Sequence, residues 1–530
     1  MRYSKKCAAV LLAAAVATAA VTPAFAQGQA AAVRKLTIDD AVKLALEQNL
    51  GIKIERLNPQ IEDVAVAQAR SYWVPTVTST LQNNSQNTPS SSFLSGGQAK
   101  ITDSRFSTAF GINQILPTGA NYSVGWNSAR STSSNVFTNF DPLLSSNVAF
   151  SFSQPLLRGR TIDSYRQQLQ TTRKDREAAD VSLSATIATT TRSVKLAYWD
   201  LAFARENLLA QQTSLDLAKR ALADNEKRVQ IGTMAPIDIV EAQSEVARNE
   251  ETVIVAEAAI KQAEDRLRAL ILDPASPDFW TTSLEPSEQM PFAAVSVDVD
   301  GAIRKAIDSR TDVKLARNSI EKSDINLKYF RSQVLPEINA NVAYQANAVG
   351  GSQLTPVSFT GSTSDQVRAI IAQRSYGSVL GDVFSNQYPT WTVGVSVSYP
   401  LGGNTQQTNL ARAKLQYSQA EQQLKNLEMQ IGTQVRDAAR QVTTNAKRVD
   451  SARVARDLAE QKLAAEEKKF AAGIQISFFV FQAQRDLAQA RTNEIKAIAD
   501  YNKSVVDFEA IQETSLTGNA QITSAAQGTR

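Results

Sequence analysis

Two periodicities alternate along this chain. In residues 338–345, Ile338, Ala340, Val342 and Tyr344 alternate with Asn339, Asn341, Ala343 and Gln345, and in 391–399 Trp391, Val393, Val395, Val397 and Tyr399 alternate with Thr392, Gly394, Ser396 and Ser398. A period of two with apolar residues on one side predicts strands. A half-buried soluble sheet gives this pattern, and so does a barrel strand facing lipid. The Trp and Tyr that frame the second run favour lipid, and its eight steps of about 3.3 Å span roughly 26 Å before tilt, close to the apolar band of an outer-membrane barrel. Elsewhere the spacing is three and four, as in Leu424, Leu427, Ile431, Val435, Ala438, Val442 and Val449, which is a coiled-coil seam. Residues 160–232 and 404–473 contain no proline. They predict uninterrupted helices of roughly 105 Å each at about 1.5 Å per residue, longer than any single globular core. Return helices are expected over 236–270 and 477–514, each about half as long, stacked end to end with the helices that precede Pro75 and Pro336.

The order of these elements repeats. Leu36-Thr37-Ile38-Asp39-Asp40-Ala41 recurs 261 residues later as Val297-Asp298-Val299-Asp300-Gly301-Ala302, and Arg70-Ser71 before Pro75 matches Arg331-Ser332 before Pro336 at the same offset. Phe152-Ser153-Gln154-Pro155-Leu156 matches Val397-Ser398-Tyr399-Pro400-Leu401, and Glu226-Lys227-Arg228 with Gly232 matches Glu467-Lys468-Lys469 with Gly473. Two homologous halves, each running helix, strands, long helix, turn, helix, account for all of these. The expected division is a first repeat over 27–271, a connector over 272–297, a second repeat over 298–514 and a polar tail over 515–530. The connector, with Pro274, Pro277, Pro286 and Pro291, should lie against the outside of the helices.

Composition narrows the chemistry. The chain has 43% hydrophobic and 20% charged residues, so it is ordered rather than unstructured. It has no histidine and one cysteine, Cys7, so zinc, haem, iron–sulfur, Ser/His/Asp and Cys/His chemistry lack their residues. No catalytic residue, metal or cofactor is expected, and an enzyme using paired carboxylates finds no acids standing out from solvated helix faces. Arg2, Lys5 and Lys6, the apolar run from Cys7 to Val21 and Ala24-Phe25-Ala26 read as a signal peptide over 1–26. Cys7 precedes the apolar run, so a lipid anchor is not expected. Removing the signal takes the formal charge from +4 to about +1, which makes nucleic acid a poor partner. No other stretch suits a transmembrane helix, so membrane contact falls to the strands.

These residues together resemble the TolC-like outer-membrane efflux family over nearly the whole mature chain. The resemblance rests on the two halves, the Pro75 and Pro336 helix-to-strand junctions, the strand endings at Pro155 and Pro400, and the turns at Gly232 and Gly473. It implies a homotrimer with an outer-membrane β-barrel continued by a long α-helical barrel into the periplasm. The implied role is the exit duct of a tripartite exporter, docked to a periplasmic adaptor and an inner-membrane pump. Four strands per chain are too few to close alone, and three chains give twelve. Residues 106–126 add a further pair: Phe106, Phe110 and Ile112, then Tyr122, Val124 and Trp126, flank a turn at 116–120, whereas the second half has only a polar loop from about 346 to 388. That pair is either an elaborated extracellular hairpin or the sign of six strands per chain and an eighteen-strand barrel.

The resemblance places the periplasmic gate at the hairpin tips. Aligned turns put Asp238 and Glu241 at the first tip and Phe479 and Gln482 at the second, with Gly232, Thr233 and Gly473 in the turns an adaptor would touch. Asp238, repeated around an axis, would form a ring favouring cations; the alternative is that it serves only the start of its helix. Phe478, Phe479 and Phe481 either pack the tip or narrow the entrance by dewetting. A periplasmic coiled-coil adaptor is the competing reading from another class, opposed by the duplicated strands. Small-molecule efflux and type I protein secretion share the duct architecture, and the cargo is open.

Overall fold

In the computed structural model the described residues are 33–91, 98–357 and 368–514; the expected signal peptide and polar tail lie outside them. The chain begins with β1 (Val33–Leu36), α1 (Ile38–Gln48), α2 (Leu50–Glu55) and α3 (Leu57–Ser71). Four strands follow: β2 (Thr76–Pro89), β3 (Lys100–Ile115), β4 (Asn121–Ser133) and β5 (Phe140–Pro155). The first long hairpin is α4 (Ser164–Gln230) and α5 (Ile237–Ile271). After β6 (Ser283–Pro286) come α6 (Val299–Ser309), α7 (Thr311–Gln333), β7 (Glu337–Leu354), β8 (Ile370–Arg374), α8 (Tyr376–Phe384) and β9 (Tyr388–Ser398). The second long hairpin is α9 (Thr405–Ala471) and α10 (Ser477–Ala510).

Local chemistry starts each helix in corresponding ways. Thr37 and Asp298 cap the 11-residue helices α1 and α6 by accepting the N–H of Asp40 and Gly301. Asp163 and Asn404 do the same for Arg166 and Gln407 at the heads of α4 and α9, each 67 residues long. A short polar side chain at these positions satisfies an N–H that the first helical turn leaves without a partner. The helices lie side by side in four columns: α3 in line with α5, then α4, then α7 in line with α10, then α9. The end-to-end stacking expected of the short helices is therefore present.

The core is thickest where the columns join. Tyr198, Leu201, Leu267, Ile271, Phe279 and Leu284 pack in one cluster, and Ala302, Val313, Ile431, Val435 and Ile511 in another. The connector contributes Phe279 and Leu284 to the first. It also carries β6, which pairs in parallel with β1, a small sheet not expected from the sequence. Tyr198 donates to the Leu36 carbonyl at 3.2 Å from the buried core, and burial pushes its phenol above the usual range.

The large sheet corrects two expectations. Its order is β2-β3-β4-β5-β7, with β9 along residues 337–347 of the far edge of β7 and β8 along residues 351–354, and every pairing is antiparallel. Six long strands therefore belong to one sheet, the alternative that the sequence left open beside about four. The turn at 116–120 is not at the extracellular end: at Gly119 (φ +87°) an added Cβ would come to 3.1 Å from the Gly159 carbonyl oxygen and from the Arg166 guanidinium, beside the start of α4. Nor is the segment after Ala346 only a polar loop, since β7 continues to Leu354 and α8 packs on the sheet.

Cross-strand register sorts the residues by face. Val77, Ile112, Val124, Phe150, Tyr344 and Trp391 form one row of directly opposed partners across all six long strands. The adjacent row, on the other face, is Thr78, Gly111, Gly125, Ala149, Gln345 and Thr390. Opposed residues project from the same side, so one face is apolar and the other small and polar. The apolar face has nothing over most of it: Trp391, Val393, Val395 and Val397 are all exposed.

Candidate functional site at the hairpin tips

Both hairpins reverse through a glycine at positive φ, Gly232 at 77° and Gly473 at 71°. An added Cβ meets nothing within 4 Å at either. The glycine is needed for its backbone conformation rather than for space. Gly232 N–H donates to the Val229 carbonyl, and both the N–H and the hydroxyl of Thr233 donate to the Arg228 carbonyl, closing the end of α4. Gly473 N–H reaches Phe470 in the same manner. Both turns are exposed, as a docking surface requires.

The tip residues chosen from sequence behave differently from one another. Asp238 lies in the first turn of α5, and its Oδ1 accepts the Ser477 hydroxyl at 3.0 Å. This carboxylate thus ties the first hairpin to the second as well as facing a helix N-terminus. Glu241 is half-buried and Gln482 exposed. Of the three clustered aromatics only Phe481 is buried, at 3% exposure; Phe478 and Phe479 stand 42% and 43% exposed, edge to face with centroids 5.6 Å apart. Tip packing is supplied instead by Leu463, Val480, Ala483 and Leu487 between α9 and α10.

Other residues join the hairpins, and sequence reasoning missed them. Glu245 on α5, with its side chain only 7% exposed, accepts from Arg485 of α10 at 3.1 Å and from Arg248 at 3.3 Å. The Arg228 guanidinium lies 4.7 Å over the Phe470 ring, linking α4 to α9. Further up, Gln211 donates to Thr492, Lys503 pairs with Asp200, and Arg192 pairs with Asp507 at 2.6 Å. Polar pairs thus recur along the contact between hairpins, whereas α9 and α10 hold each other by apolar clusters as well as by ion pairs such as Arg456–Glu494 and Lys462–Asp486. A polar seam can part without exposing core surface, because water replaces each partner; an apolar one cannot. The one available signal was Glu245 falling seven residues, two helical turns, after Asp238.

The described chain thus has an open strand at each edge of its large sheet, one bare apolar face and helical hairpins tied to each other by polar pairs. Two segments, residues 41–271 and 302–511, match the model of the outer membrane efflux protein family. The chain belongs to that family, and so is an outer-membrane channel with a helical extension into the periplasm. No curated protein matches it by sequence. Among solved structures it is similar to a membrane protein from Pseudomonas aeruginosa, at 15% identity and a TM-score of 0.63, covering 91% of this chain and 94% of the other. It is also similar to the CmeC outer membrane channel of Campylobacter jejuni, at 13% identity and a TM-score of 0.60, covering 90% and 85%. VceC from Vibrio cholerae gives 14% identity and 0.60, covering 90% and 96%.

Proposed function

We propose that three copies of this chain, each built from two homologous repeats over 27–271 and 298–514, close into the exit duct of a tripartite exporter. The signal over 1–26, the connector over 272–297 and the tail over 515–530 complete the division. The observation that carries the reading is the position of the open edges. The exposed edge strand β2 continues from α3, in the outermost helical column, and the edge strand β9 leads into α9, in the opposite outermost column. β2 and β9 run in opposite directions, so β9 of one copy and β2 of the next can pair antiparallel while α9 meets the column of α3 and α5. One rotation then satisfies both layers, as a closed heterologous ring requires.

Six strands per copy make eighteen in the ring. Eighteen strands about 4.8 Å apart and tilted about 40° have a radius of roughly 18 Å, and twelve helical columns about 9.5 Å apart also have roughly 18 Å, whereas twelve strands give roughly 12 Å. Matching radii support the wide barrel, since the chain passes from strand to helix at each Pro junction without a step.

At the far end the tips close the duct. Asp238 from each copy supplies negative charge, and Phe479, free of the hairpin's own core, narrows the opening. The Glu245–Arg485 and Asp238–Ser477 bonds hold the hairpins together until an adaptor, docked on the Gly232, Thr233 and Gly473 turns and coupled to an inner-membrane pump, draws them apart. The test is oligomeric mass in detergent with single-channel conductance in planar bilayers. A trimer passing small cation-preferring currents is expected. Arg485→Ala and Phe479→Ala should raise conductance, and Asp238→Asn should weaken cation preference. A monomer without channel activity would overturn the duct.

A further inference from the structure

We propose that α8 is a membrane-interface helix, lying flat on the outer wall of the barrel where its exposed residues meet lipid of the outer leaflet. The inference rests on the barrel reading above. The strands leave a place for such a helix. β9 covers residues 337–347 of β7 and β8 covers 351–354, so between them the edge of β7 lacks a strand partner and the chain detours through α8. α8 packs Val379 and Val383 on Ala346 and Ala348, beside Leu144 and Val148. These sheet residues all belong to the apolar face, the one that carries Val342, Phe150 and Trp391. The seat is made by small residues: a Cβ on Gly350 would come to 2.4 Å from the Val379 methyl. The helix is therefore held on the outer wall and not in the lumen.

Its height is set by its neighbours. Below α8 lies the Tyr344–Trp391 row; above it, opposed to Gly350 through Leu144, is Arg130, on the same face as those rows. The Tyr376 hydroxyl donates to Ser128 at 2.7 Å in the row between. An apolar face ending in aromatic residues and then an arginine is the profile of the hydrocarbon boundary. The part of the apolar run on β7 that lies below α8, Ile338 to Tyr344, covers only about 20 Å along the strand, less along the membrane normal once tilted, against a band about 25 Å tall. α8 occupies the height that is missing. The outward side fits lipid: Gly377, Gly381 and Phe384 are exposed, Phe384 at 78%. The only charged residue in α8, Asp382, is paired with Arg374 and its side chain is just 13% exposed. The apolar outer surface is thus continuous from the strands onto the helix.

The chain's one cysteine, Cys7, can be replaced by serine, so single spin labels report single sites. Gly381→Cys and Phe384→Cys test α8; at Gly381 an added Cβ meets nothing within 4 Å. Val395→Cys on the apolar face and Thr392→Cys on the polar face are the references. In phospholipid vesicles, collision with oxygen and with a water-soluble nickel chelate is measured. Labels 381 and 384 should resemble 395, open to oxygen and shielded from nickel, while 392 is open to nickel. If 395 reads lipid and 381 and 384 read water, α8 projects into the extracellular solvent and the inference fails while the barrel stands. If 381 and 384 are closed to both reagents, protein covers the helix and the inference also fails. If 395 itself reads water, the barrel reading falls and α8 with it.

Discussion

The two halves of this chain do the same mechanical task with different chemistry at the junction between short and long helices. In the first half Asn49, at the break between α1 and α2, donates to the carbonyl of Leu270 near the end of α5. In the second half the residue 261 positions on is Arg310, at the break between α6 and α7, and it donates to the carbonyl of Ile511 just past α10. The neutral clasp is part-buried. The charged one is fully buried, and its guanidinium is forked on Asp312 at 2.6 and 3.0 Å and also meets Gln434 at 3.1 Å. A buried arginine is tolerated only when its donors are used, so the second clasp fixes α7, α9 and the end of α10 together, whereas the first fixes only two elements. The half whose tip bears Phe479 instead of an acid is thus the more firmly anchored at its waist. The first half adds a partly exposed clasp, Lys53 with Asp273.

The largest effect expected from this difference is at Arg310. Arg310→Ala leaves Asp312 buried without its partner and should cost about 3–5 kcal/mol, whereas Asn49→Ala should cost about 1 kcal/mol. Thermal inactivation of the purified protein, with amide exchange followed separately in residues 299–333 and 38–71, reads both. Equal effects in the two variants would remove the distinction between the halves.

The sheet offers a second contrast. The second half contributes two long strands and α8 where the first contributes four strands and no helix. Gly350→Val should cost about 1–3 kcal/mol by driving the side chain into Val379, while Gly394→Val, where nothing lies within 4 Å of an added Cβ, should be tolerated. Protease sensitivity near residues 375–387 would rise only in the first variant. If both behave alike, α8 is not seated on Gly350.

Much of this architecture was legible because long helices and lipid-facing strands leave strong periodic marks. The 67-residue helices follow from proline-free runs between a capping Asp or Asn and a turn glycine. What escaped was either short or dependent on packing. β1 and β6 have four residues each and exist because they pair with one another across 250 positions. α8, with glycines at 377 and 381, has weak helical propensity and is held by the sheet beneath it. At the tips, Asp238 and Phe479 could be selected from aligned turns. For Glu245 the seven-residue spacing from Asp238 was too weak a signal, because an acid on a polar helix reads as solvated until Arg485, 240 residues away, is seen to cover it.

The smallest effect concerns acid. Lys53 donates to Asp273 at 2.7 Å, and that bond, helped by the Ala275 N–H, holds the Asp273 carboxyl below the usual carboxylate range. A group whose folded value is lowered stabilises the fold above its unfolded value, near 3.8 here, and that contribution is lost as pH falls through the folded value. The clasp between α2 and the end of α5 should therefore loosen only below about pH 4. Because both side chains are partly exposed, salt should blunt the effect. Amide exchange over residues 50–55 and 268–275, measured at pH 5 and in more acidic buffer, should rise in the wild-type protein. In Asp273→Asn it should already be raised at pH 5 and respond less to acid. An unchanged acid response in that variant would assign the sensitivity to other carboxylates and leave Asn49 as the only clasp that matters in the first half.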